Sequence, residues 1–576
     1  MKYSVKKPLS ADERAGLSAH TDLLAHLLFY RGILDDAAAE AFLSPDYDAG
    51  VHDPFLLKDA EKAADRIVRA IRDGEKIAVF ADYDADGIPG AAIWDDFFKR
   101  ISFSGYVIYI PHRHDEGFGL NENAIRELAE KGAKVLMTVD CGITDAAPVA
   151  TANSLRMDVI ITDHHEAPPL VPAAFAIVDP KQPGCGYPDK NLCGSGVAYK
   201  LIQAVLKIER FGLKDGMEKW LLDLVGMATL SDMVPLVGEN RIFAAYGLQV
   251  LRKSPRKGLM RLFDKLKIAQ RHVTEDDIAF MVTPRINAAS RMGVPMDAFK
   301  LLSASTDDDA NIYADHLDSI NSERKGVVAS LVKEVKKTVR ERHGEAVPSV
   351  IVLGDPEWRP SLLGLAANSC AEEFGRPVFL WGRDGSNEIK GSCRSEGSTH
   401  VVELMRAVPA GVFSKYGGHK HSGGFAVASD QIHFLEQRLN EAADKLRDAR
   451  YQISDAGYGA IEADAELSLD SVDMRLYKEI DRLAPFGVGN PKPVFLFKSV
   501  KPADIRIFGK GNEHVELVFR GSDGSKLPAI AFFGISEPWA KAVRKGMPID
   551  LAASVELSMF RGRPELRLRI VDVIYS

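Results

Sequence analysis

Asp158-Val159-Ile160-Ile161-Thr162-Asp163-His164-His165 is an apolar run that ends on one carboxylate and two imidazoles. The apolar part predicts a buried β-strand. Adjacent side chains of a strand point to opposite sides, so His164 and His165 face one site only if the strand has already ended. That position is the carboxyl edge of a sheet, where open α/β folds bind their ligands. On its own, an Asp-His-His run is more often a polar loop after a strand.

Other predicted elements deliver carboxylates in the same way. A set of aspartates this dense, with no Lys or Arg between its members, repels strongly unless divalent cations neutralise it. Carboxylate oxygen combined with imidazole suits Mn, Mg or Zn, so the sequence favours a metal site. The carboxylates are Asp82, Asp84 and Asp86 after the strand 76–81, Asp140 after the strand 134–139, and Asp232 after the helical run 220–230.

Four segments carry a family resemblance. In this order and spacing, ADYDADG (81–87), VDCG (139–142), TDHH (162–165) and ATLSDMVPLVGENR (228–241) resemble the motifs of the DHH phosphoesterase superfamily. The resemblance is closest to the RecJ family of bacterial single-strand-specific 5′-to-3′ exonucleases, and it extends over nearly the whole chain.

The resemblance implies a site for two Mn²⁺ or Mg²⁺ ions, in which His165 faces the scissile phosphate. The implied ligands are Asp86, Asp140, His164 and Asp232 for one ion, and Asp82 and Asp84, with Asp140 shared, for the other.

Length and composition fit a soluble protein of several domains. A chain of 576 residues is too long to form a single hydrophobic core, so several domains are expected. Its contents of 46% hydrophobic and 27% charged residues are ordinary for globular proteins. No apolar run approaches the ~20 residues that span a bilayer, and the N-terminus lacks the apolar core of a secretory signal. Five cysteines without a CxxC pair predict reduced thiols and a cytoplasmic location. The net charge of −8 argues mildly against a protein that coats duplex DNA.

The predicted architecture is a multidomain α/β protein. Strands at 76–81, 106–110, 134–139, 158–162 and 175–178 alternate with helices, which predicts a mainly parallel sheet. With the resemblance, we expect an N-terminal helical extension (1–70), a DHH catalytic lobe (71–300), a long connector helix (301–345), a DHH-associated α/β lobe (346–450) and an OB-type nucleic-acid-binding barrel (451–576). Apolar residues spaced by three and four predict the connector helix: Ile312, Leu317, Ile320, Val327, Val328, Leu331, Val335 and Val339.

Candidate phosphate-binding residues lie in two segments of the first lobe. Arg113, in IPHRHDEGFGL (110–120), matches an arginine that faces substrate phosphate in the family. TPRINAASRMG (283–293) resembles the family's GPRINAAGRMG and keeps Arg285, Asn287 and Arg291 as candidate substrate-binding residues. Thr283 and Ser290 replace two glycines there, which leaves the shape of this expected loop open. Arginines beside an acidic site are either its ion-pair partners or a phosphate clamp, and the resemblance favours the clamp.

Two segments of the second lobe complete the set. GSCRS (391–395) resembles the family's GSARS, which implies that Ser392 and Arg394 bind a 5′-phosphate. YGGHKHSGGF (416–425) resembles the GGH motif of the DHH-associated domain and supplies His419. EWRPSLLGLAA (357–367) departs from the family's WHxGVIGIVA at Arg359 and Ser361, so the role of the family's histidine is open here.

The C-terminal stretch predicts a small closed barrel that binds single strands. Short strands at 494–497, 505–508, 515–519, 529–533, 549–556 and 566–570 are separated by glycine turns. From Phe497 to Ser576 there are 13 Lys and Arg against 9 Asp and Glu. Interleaved aromatic and basic side chains bind single strands at ~1–3 kcal/mol per stacked base. The interleaved residues are Phe519, Phe532, Phe533 and Phe560 with Arg520, Arg561, Arg563 and Arg567.

The expected function is therefore 5′-to-3′ hydrolysis of single-stranded DNA in repair and recombination. The resemblance adds a single-strand-binding protein and a repair helicase as candidate partners of a monomer that does not contact membranes. One alternative is a DHH-family phosphodiesterase for cyclic dinucleotides or short oligonucleotides, which needs neither the N-terminal helices nor the barrel. The other is a non-catalytic replication or repair scaffold, although such proteins lose metal ligands and this sequence retains them all.

Overall fold

The structure is a computed structural model that describes residues 3–344, 346–383, 388–397, 399–450, 461–509, 511–559 and 564–575. In these ranges no helix combines the length and the apolar character needed to cross a membrane.

The N-terminal region is mainly helical. Its helices start where local capping predicts, because the side-chain oxygens of Ser10, Thr21 and Asp35 accept hydrogen bonds from backbone N–H groups of the following turn. The elements are β1 (Tyr3–Val5), α1 (Ala11–Ala15), α2 (Asp22–Phe29), α3 (Asp36–Leu43), α4 (Tyr47–Gly50) and α5 (Ala60–Asp73).

The first lobe is built on a five-stranded sheet in which every pairing is parallel, so the expected parallel sheet is confirmed. Its elements are β2 (Lys76–Ala81), α6 (Gly87–Arg100), β3 (Tyr106–Tyr109), α7 (Glu122–Glu130), β4 (Ala133–Val139), α8 (Ala146–Ser154), β5 (Asp158–Thr162) and β6 (Ala176–Val178). The strand order is β3-β2-β4-β5-β6. After β2 the chain forms β3 on one side of it and then crosses to form β4 on the other side. This reversal creates a crevice at the carboxyl ends of β2 and β4.

Helices complete the first lobe, and one of them corrects an expectation. The segment 283–293 is not a loop: a π-helical turn, Asp277–Val282, leads directly into a regular α-helix. Thr283 has α-helical dihedral angles (φ −49°, ψ −46°), so a side chain replaces the family's glycine here without backbone strain. The helices are α9 (Gly194–Ile208), α10 (Leu222–Ser231), α11 (Gly238–Leu251), α12 (Lys257–Leu266), α13 (Thr283–Met292) and α14 (Met296–Leu302).

The expected connector is a single helix, α15 (Asp307–His343). It packs on the first lobe through Leu317 and Ile320 and on the second through Leu331, Val335 and Val339. Two of the apolar residues whose spacing predicted the helix are nevertheless exposed, Ile312 at 61% and Val327 at 39%.

The second lobe has a mixed five-stranded sheet of order β10-β11-β9-β8-β7, in which only β7 and β8 are parallel. Its elements are β7 (Ile351–Gly354), α16 (Pro360–Phe374), β8 (Val378–Gly382), β9 (Ile389–Arg394), α17 (Val401–Ala407), β10 (Phe413–Gly418), β11 (Ser422–Val427) and α18 (Leu435–Arg450).

The C-terminal domain has seven strands in the order β13-β14-β18-β19-β17-β16-β15. Its elements are β12 (Ile461–Ala463), β13 (Ala465–Glu466), α19 (Met474–Asp481), β14 (Phe495–Val500), β15 (Asp504–Phe508), β16 (His514–Arg520), β17 (Lys526–Ala531), α20 (Pro538–Ala542), β18 (Ile549–Ser558) and β19 (Glu565–Ile574). The expectation of a closed barrel is wrong for the described residues, because no pairing joins the edge strands β13 and β15. A two-residue β13 offers too few backbone groups to close the sheet.

The N-terminal region packs on the C-terminal domain. Strand β1 pairs in parallel with β12, and the His26 imidazole lies 2.7 Å from the carbonyl oxygen of Asp464. Leu24 and Leu28 of α2 share a core with Leu476 and Phe497. The two ends of the chain therefore form one packed unit.

A fully buried ion pair joins α9 to α11. The Lys200 ammonium lies 2.9 Å from the Glu239 carboxylate, and both side chains have 0% exposure. The Tyr187 hydroxyl also donates to Glu239, and Lys200 donates to the backbone carbonyl of His52. The charges are thus paired and hydrogen-bonded, as burial requires.

Glu239→Ala should lower the free energy of unfolding of the first lobe by about 3–5 kcal/mol, because it strands the buried ammonium of Lys200. Glu127→Ala is the matched control: its pair with Lys131 is half exposed and should be worth ~0–1 kcal/mol. Urea denaturation followed by tryptophan fluorescence measures both. Equal losses in the two variants would contradict this account of the buried pair.

Candidate metal centre and active site

The ends of β2, β4 and β5 lie side by side because each strand's ladder continues one residue into its loop. Asp82 N–H donates to the carbonyl of Val139, and Asp140 N–H donates to the carbonyl of Thr162, both at 3.0 Å. Asp140 then adopts a left-handed conformation (φ 63°), which ends the strand and turns its carboxylate into the crevice.

The carboxylates surround one imidazole nitrogen. His164 Nε2 lies 3.1 Å from Asp140 Oδ1, 3.7 Å from Asp232 Oδ2 and 3.8 Å from Asp86 Oδ2. The ligand atoms form overlapping groups in which all lie within 4.8 Å of one another. The groups are Asp86, His164 and Asp232; Asp82, Asp84 and Asp140; and Asp140, His164 and His165.

The N-terminus of α9 anchors the centre, a role that sequence reasoning missed. The backbone N–H groups of Gly194 and Ser195 donate to the Asp86 carboxylate at 2.6 and 2.7 Å. The positive end of the helix thus faces an anion. A Cβ at Gly194 would lie 2.5 Å from Cβ of Asp140, so this close approach requires glycine. The only signal in the sequence was Gly194-Ser195-Gly196 at the start of a predicted helix.

Charge in this crevice is poorly compensated. Burial, reinforced by neighbouring carboxylates, raises the pKa of Asp82 and Asp140 well above the usual range and that of Asp232 to about 9. Three buried oxygens, Asp82 Oδ1, Asp140 Oδ1 and Asp232 Oδ2, have no hydrogen-bond partner in the described part of the chain. Buried carboxylate oxygens are otherwise almost always satisfied, so the donor set fits divalent cations.

The two histidines differ in environment. Burial lowers the pKa of His164, which keeps its imidazole neutral, as a metal ligand requires. His165 Nδ1 lies 2.7 Å from Asp163 Oδ1; although burial opposes it, this contact raises the pKa of His165 to about 9. Asp163 is itself held by the backbone N–H groups of Ile143, His164 and His165. Asp163 therefore orients His165.

Asp179 is an acid beside this set that sequence reasoning missed. It follows β6 as the other aspartates follow their strands, so the same signal was present. It is fully buried with Oδ2 unpartnered, and burial raises its pKa to about 7.

Several predicted phosphate-binding residues meet beside this centre. The Arg113 guanidinium lies 4.8 Å from the ring centre of Tyr83, and Arg291 donates to the carbonyl of Ser361 at 2.7 Å. Arg394 donates a hydrogen bond to the carbonyl of the preceding residue, Cys393, and lies against Gly364 of α16. Burial, together with the nearby Arg113, Arg324 and Arg394, lowers the pKa of Arg291 to about 10. Ser392 lies on β9, two residues before Arg394 and therefore on the same face of the strand.

Other predicted substrate-binding residues have different surroundings. Arg285 pairs with Asp318 of α15 at 2.8 Å and donates to the Met281 carbonyl, so it bonds to none of the carboxylates of the centre. Asn287 accepts the N–H of Ala85 at 2.9 Å and fixes the loop after β2. His419 is exposed at the turn between β10 and β11.

The residues that depart from the family pattern make defined contacts in the structure, except for one that is exposed. The Thr283 hydroxyl lies 2.6 Å from that of Ser231, next to Asp232, and the Ser290 hydroxyl donates to the Asn287 carbonyl. The Ser361 hydroxyl donates to the Arg291 carbonyl at 3.1 Å, which completes a reciprocal pair of bonds between the lobes. Arg359 is exposed.

The parallel sheet, its acidic crevice and the Asp-His-His run define a phosphoesterase of the DHH class. The model of the DHH family's N-terminal domain matches residues 76–229, the DHHA1 domain matches 347–449, and the RecJ OB domain matches 463–572. The chain belongs to the RecJ family of single-stranded-DNA-specific exonucleases.

Relatives named single-stranded-DNA-specific exonuclease RecJ support this membership. The relative from Bacillus subtilis is 32% identical over 100% of this chain and 71% of its own length. That from Haemophilus influenzae is 31% identical over 90% and 91% of the two chains. The crystal structure of RecJ in complex with Mn²⁺ from Thermus thermophilus superposes with a TM-score of 0.81 at 26% identity, covering 100% of this chain and 80% of that one.

Asp140→Asn should abolish cleavage of single-stranded DNA, because Asp140 belongs to two of the ligand groups. It should also raise the melting temperature of the metal-free protein, since it removes a buried charge that its neighbours repel. Asp65→Ala, at an exposed position on α5, is the control and should change neither quantity. Near-parental turnover by folded Asp140→Asn protein in Mn²⁺ would contradict the assignment.

Proposed function

We propose that this protein is a metal-dependent exonuclease that degrades single-stranded DNA from its 5′ end, in DNA repair and recombination. Two features of the site support this proposal. The first is the set of buried carboxylate oxygens around His164 that have no described hydrogen-bond partner, and the second is the neighbouring arginines that have no described carboxylate partner. The first feature suits divalent cations, and the second suits the phosphates of a nucleic acid.

The proposed ligands divide between two Mn²⁺ or Mg²⁺ ions. Asp86, His164 and Asp232 would hold one ion, Asp82 and Asp84 the other, and Asp140 both. Such a pair supplies an activated water and stabilises the leaving oxygen of an in-line phosphodiester displacement. The α9 N-terminus keeps Asp86 in place, and the Ala85–Asn287 bond fixes the loop that carries Asp82, Asp84 and Asp86.

His165 is proposed to contact the scissile phosphate. Its Nδ1 is bonded to Asp163, and its side chain is 43% exposed, so its Nε2 is free for substrate. A donor held in this way needs little reorganisation when charge develops on a phosphate oxygen. Phe118 lies 5.8 Å from the His165 ring and is half exposed, so an aromatic surface borders the same position.

The polarity is proposed to come from the arginine side of the cleft. Ser392 and Arg394 of the second lobe, with Arg113 and Arg291 of the first, would bind the terminal 5′-phosphate. The guanidinium fork matches a phosphate in shape and charge. Arg285 is proposed to serve this site by tying α13 to the connector. His419, whose imidazole is exposed at the turn between β10 and β11, is also proposed to contact the strand.

An aromatic and basic surface of the C-terminal domain is proposed to bind the rest of the strand. Arg569 lies over the Phe532 ring at 4.2 Å, and His514 packs edge-on against Phe532 and Phe533. Phe533 is 68% exposed, so its face is open to a nucleobase. Phe519, by contrast, is core, while Phe560, Arg561 and Arg563 lie outside the described residues.

Such a surface favours long strands over the cyclic dinucleotides considered from sequence. A single-strand-binding protein and a repair helicase remain proposed partners of a cytoplasmic monomer, and the five unpaired cysteines agree with that location. The domain bounds drawn from sequence also remain predictions; the boundary at 450/451 adjoins a segment, 451–460, that lies outside the described residues.

Arg394→Ala should lose the preference for 5′-phosphorylated over 5′-hydroxyl ends. A charge-assisted contact is worth ~1.5–3 kcal/mol, so catalytic efficiency on phosphorylated ends should fall roughly ten- to a hundredfold. Steady-state kinetics on matched oligonucleotides measures the ratio. If the variant discriminates between the two ends as the parent does, this explanation of polarity fails.

Phe533→Ala combined with Arg569→Ala should raise KM on long single strands and leave short ones unaffected, since one stacked base contributes ~1–3 kcal/mol. Point substitutions are preferable to truncation, because deleting the domain would uncover the N-terminal helices packed on it. Phe434→Ala is the control, as this half-exposed phenylalanine lies in the second lobe. Equal KM values for the double variant and the parent on long strands would assign the surface another role.

A further inference from the structure

The connector helix has one buried stripe, and Arg324 lies in it. The stripe runs at spacings of three and four residues along one face of α15. Its buried members are Ala310, Ala314, Leu317, Ile320, Asn321, Leu331, Val335 and Val339. Arg324 falls on the same spacing, three residues after Asn321 and seven before Leu331. A guanidinium therefore occupies a position where the pattern elsewhere places a core side chain.

This position is the seam between the lobes. Leu317 and Ile320 belong to the core of the first lobe, whereas Leu331 and Val335 belong to that of the second. Between them, from 322 to 330, Arg324 and Val328 are partly buried and the other residues are exposed. Across this gap the stripe stays on the same face of α15, and Arg324 lies on that face, within electrostatic range of Arg291, whose bond to Ser361 crosses the seam.

Arg324 has no described partner. Its Nε is buried and makes no hydrogen bond, and no ion pair joins Arg324 to a described carboxylate. About one turn earlier, Asn321 is fully buried, and neither its Oδ1 nor its Nδ2 bonds to any described residue. By contrast Arg285, which packs from α13 against the same helix, is neutralised by Asp318.

Arg324 also acts on the arginines already described. It is one of the charges that, after burial, lower the pKa of Arg291, along with Arg113 and Arg394. None of these four guanidiniums has an ion pair with a carboxylate in the described part of the chain. Cations gathered in this way repel one another until an anion joins them.

We propose that Arg324 is a substrate-binding residue that contacts the 5′-terminal phosphate of the DNA strand in the cleft between the lobes. The inference rests on the proposed function and adds the connector helix to the phosphate site. Both Asp84 of the metal centre and Arg324 act on the charge of Arg291. Because Arg324 lies on the connector, at the seam between the two lobe cores and not among the metal-ligand groups, we assign it to the terminal phosphate and not to the scissile one. Because α15 spans both lobes, a strand end bound there contacts both lobes and their connector at once.

The test compares Arg324→Ala and Arg324→Lys with the parent on 5′-phosphorylated and 5′-hydroxyl single strands in Mn²⁺. Arg324→Ala should raise KM for the phosphorylated strand roughly ten- to a hundredfold and leave kcat unchanged, because one charge-assisted contact is lost away from the metals. Its slope of log KM against log salt should fall by about 0.7, the value for one phosphate contact on a single strand. Arg324→Lys should keep the slope and lose part of the affinity, since lysine keeps the charge without the fork.

Arg342→Ala is the matched control, as this exposed arginine lies in the last turn of the same helix. It should behave as the parent does. Circular dichroism and the melting temperature verify folding, and Arg324→Lys keeps the test decisive if Arg324→Ala does not fold. A parental KM and salt slope in folded Arg324 variants would overturn the inference. So would a variant that loses only inhibition by inorganic phosphate, because the site would then bind free phosphate and not a strand end.

Binding of a 5′-phosphorylated strand in EDTA, measured by fluorescence anisotropy, separates this inference from the proposed function. If the parent cleaves nothing yet binds that strand more tightly than Arg324→Ala does, the proposed function fails and the Arg324 contact stands. Equal binding by parent and variant in EDTA overturns the contact whatever the cleavage result.

Discussion

Mutual repulsion among buried carboxylates is the constraint on which this structure depends. Asp82, Asp86 and Asp140 are at most 4% exposed, and each lies within range of another's charge. The fold holds them together through features that are costly elsewhere: a left-handed aspartate, a helix N-terminus pressed against a carboxylate, and a glycine that admits the contact. A protein that only needed stability would not retain such a cluster, so the cluster indicates function.

A cluster of positively charged side chains lies beside the acidic cluster. Arg113, Arg291 and Arg394 gather where the two lobes meet, and the reciprocal bonds between Arg291 and Ser361 cross that seam. A polyanion with a phosphate at its end satisfies both regions, since metal ions and guanidiniums each bind phosphate oxygens. The connector helix α15 packs on both lobes and so sets the spacing between the two regions. Under the proposed function, that spacing selects the phosphate that is cut.

Much of this arrangement was predictable from sequence because it is local. A buried strand that ends on Asp, repeated at β2, β4 and β5, predicts a parallel sheet with acids at one edge, and α15 follows from its apolar spacing alone. What escaped prediction depends on distant partners. The pairing of β1 with β12 joins residues more than 400 positions apart, and the ion pair of Arg285 with Asp318 requires knowing how α13 lies on α15. The partial burial of Arg324 could not be predicted either, because in a highly charged helix an arginine is expected to face solvent.

Calorimetric titration of the metal-free protein with MnCl₂ measures whether the acidic crevice holds two divalent ions. Two Mn²⁺ per chain are expected, with a higher melting temperature in saturating metal because the ions bind only the folded crevice. Absence of binding, or a single ion per chain, would contradict the two-ion site.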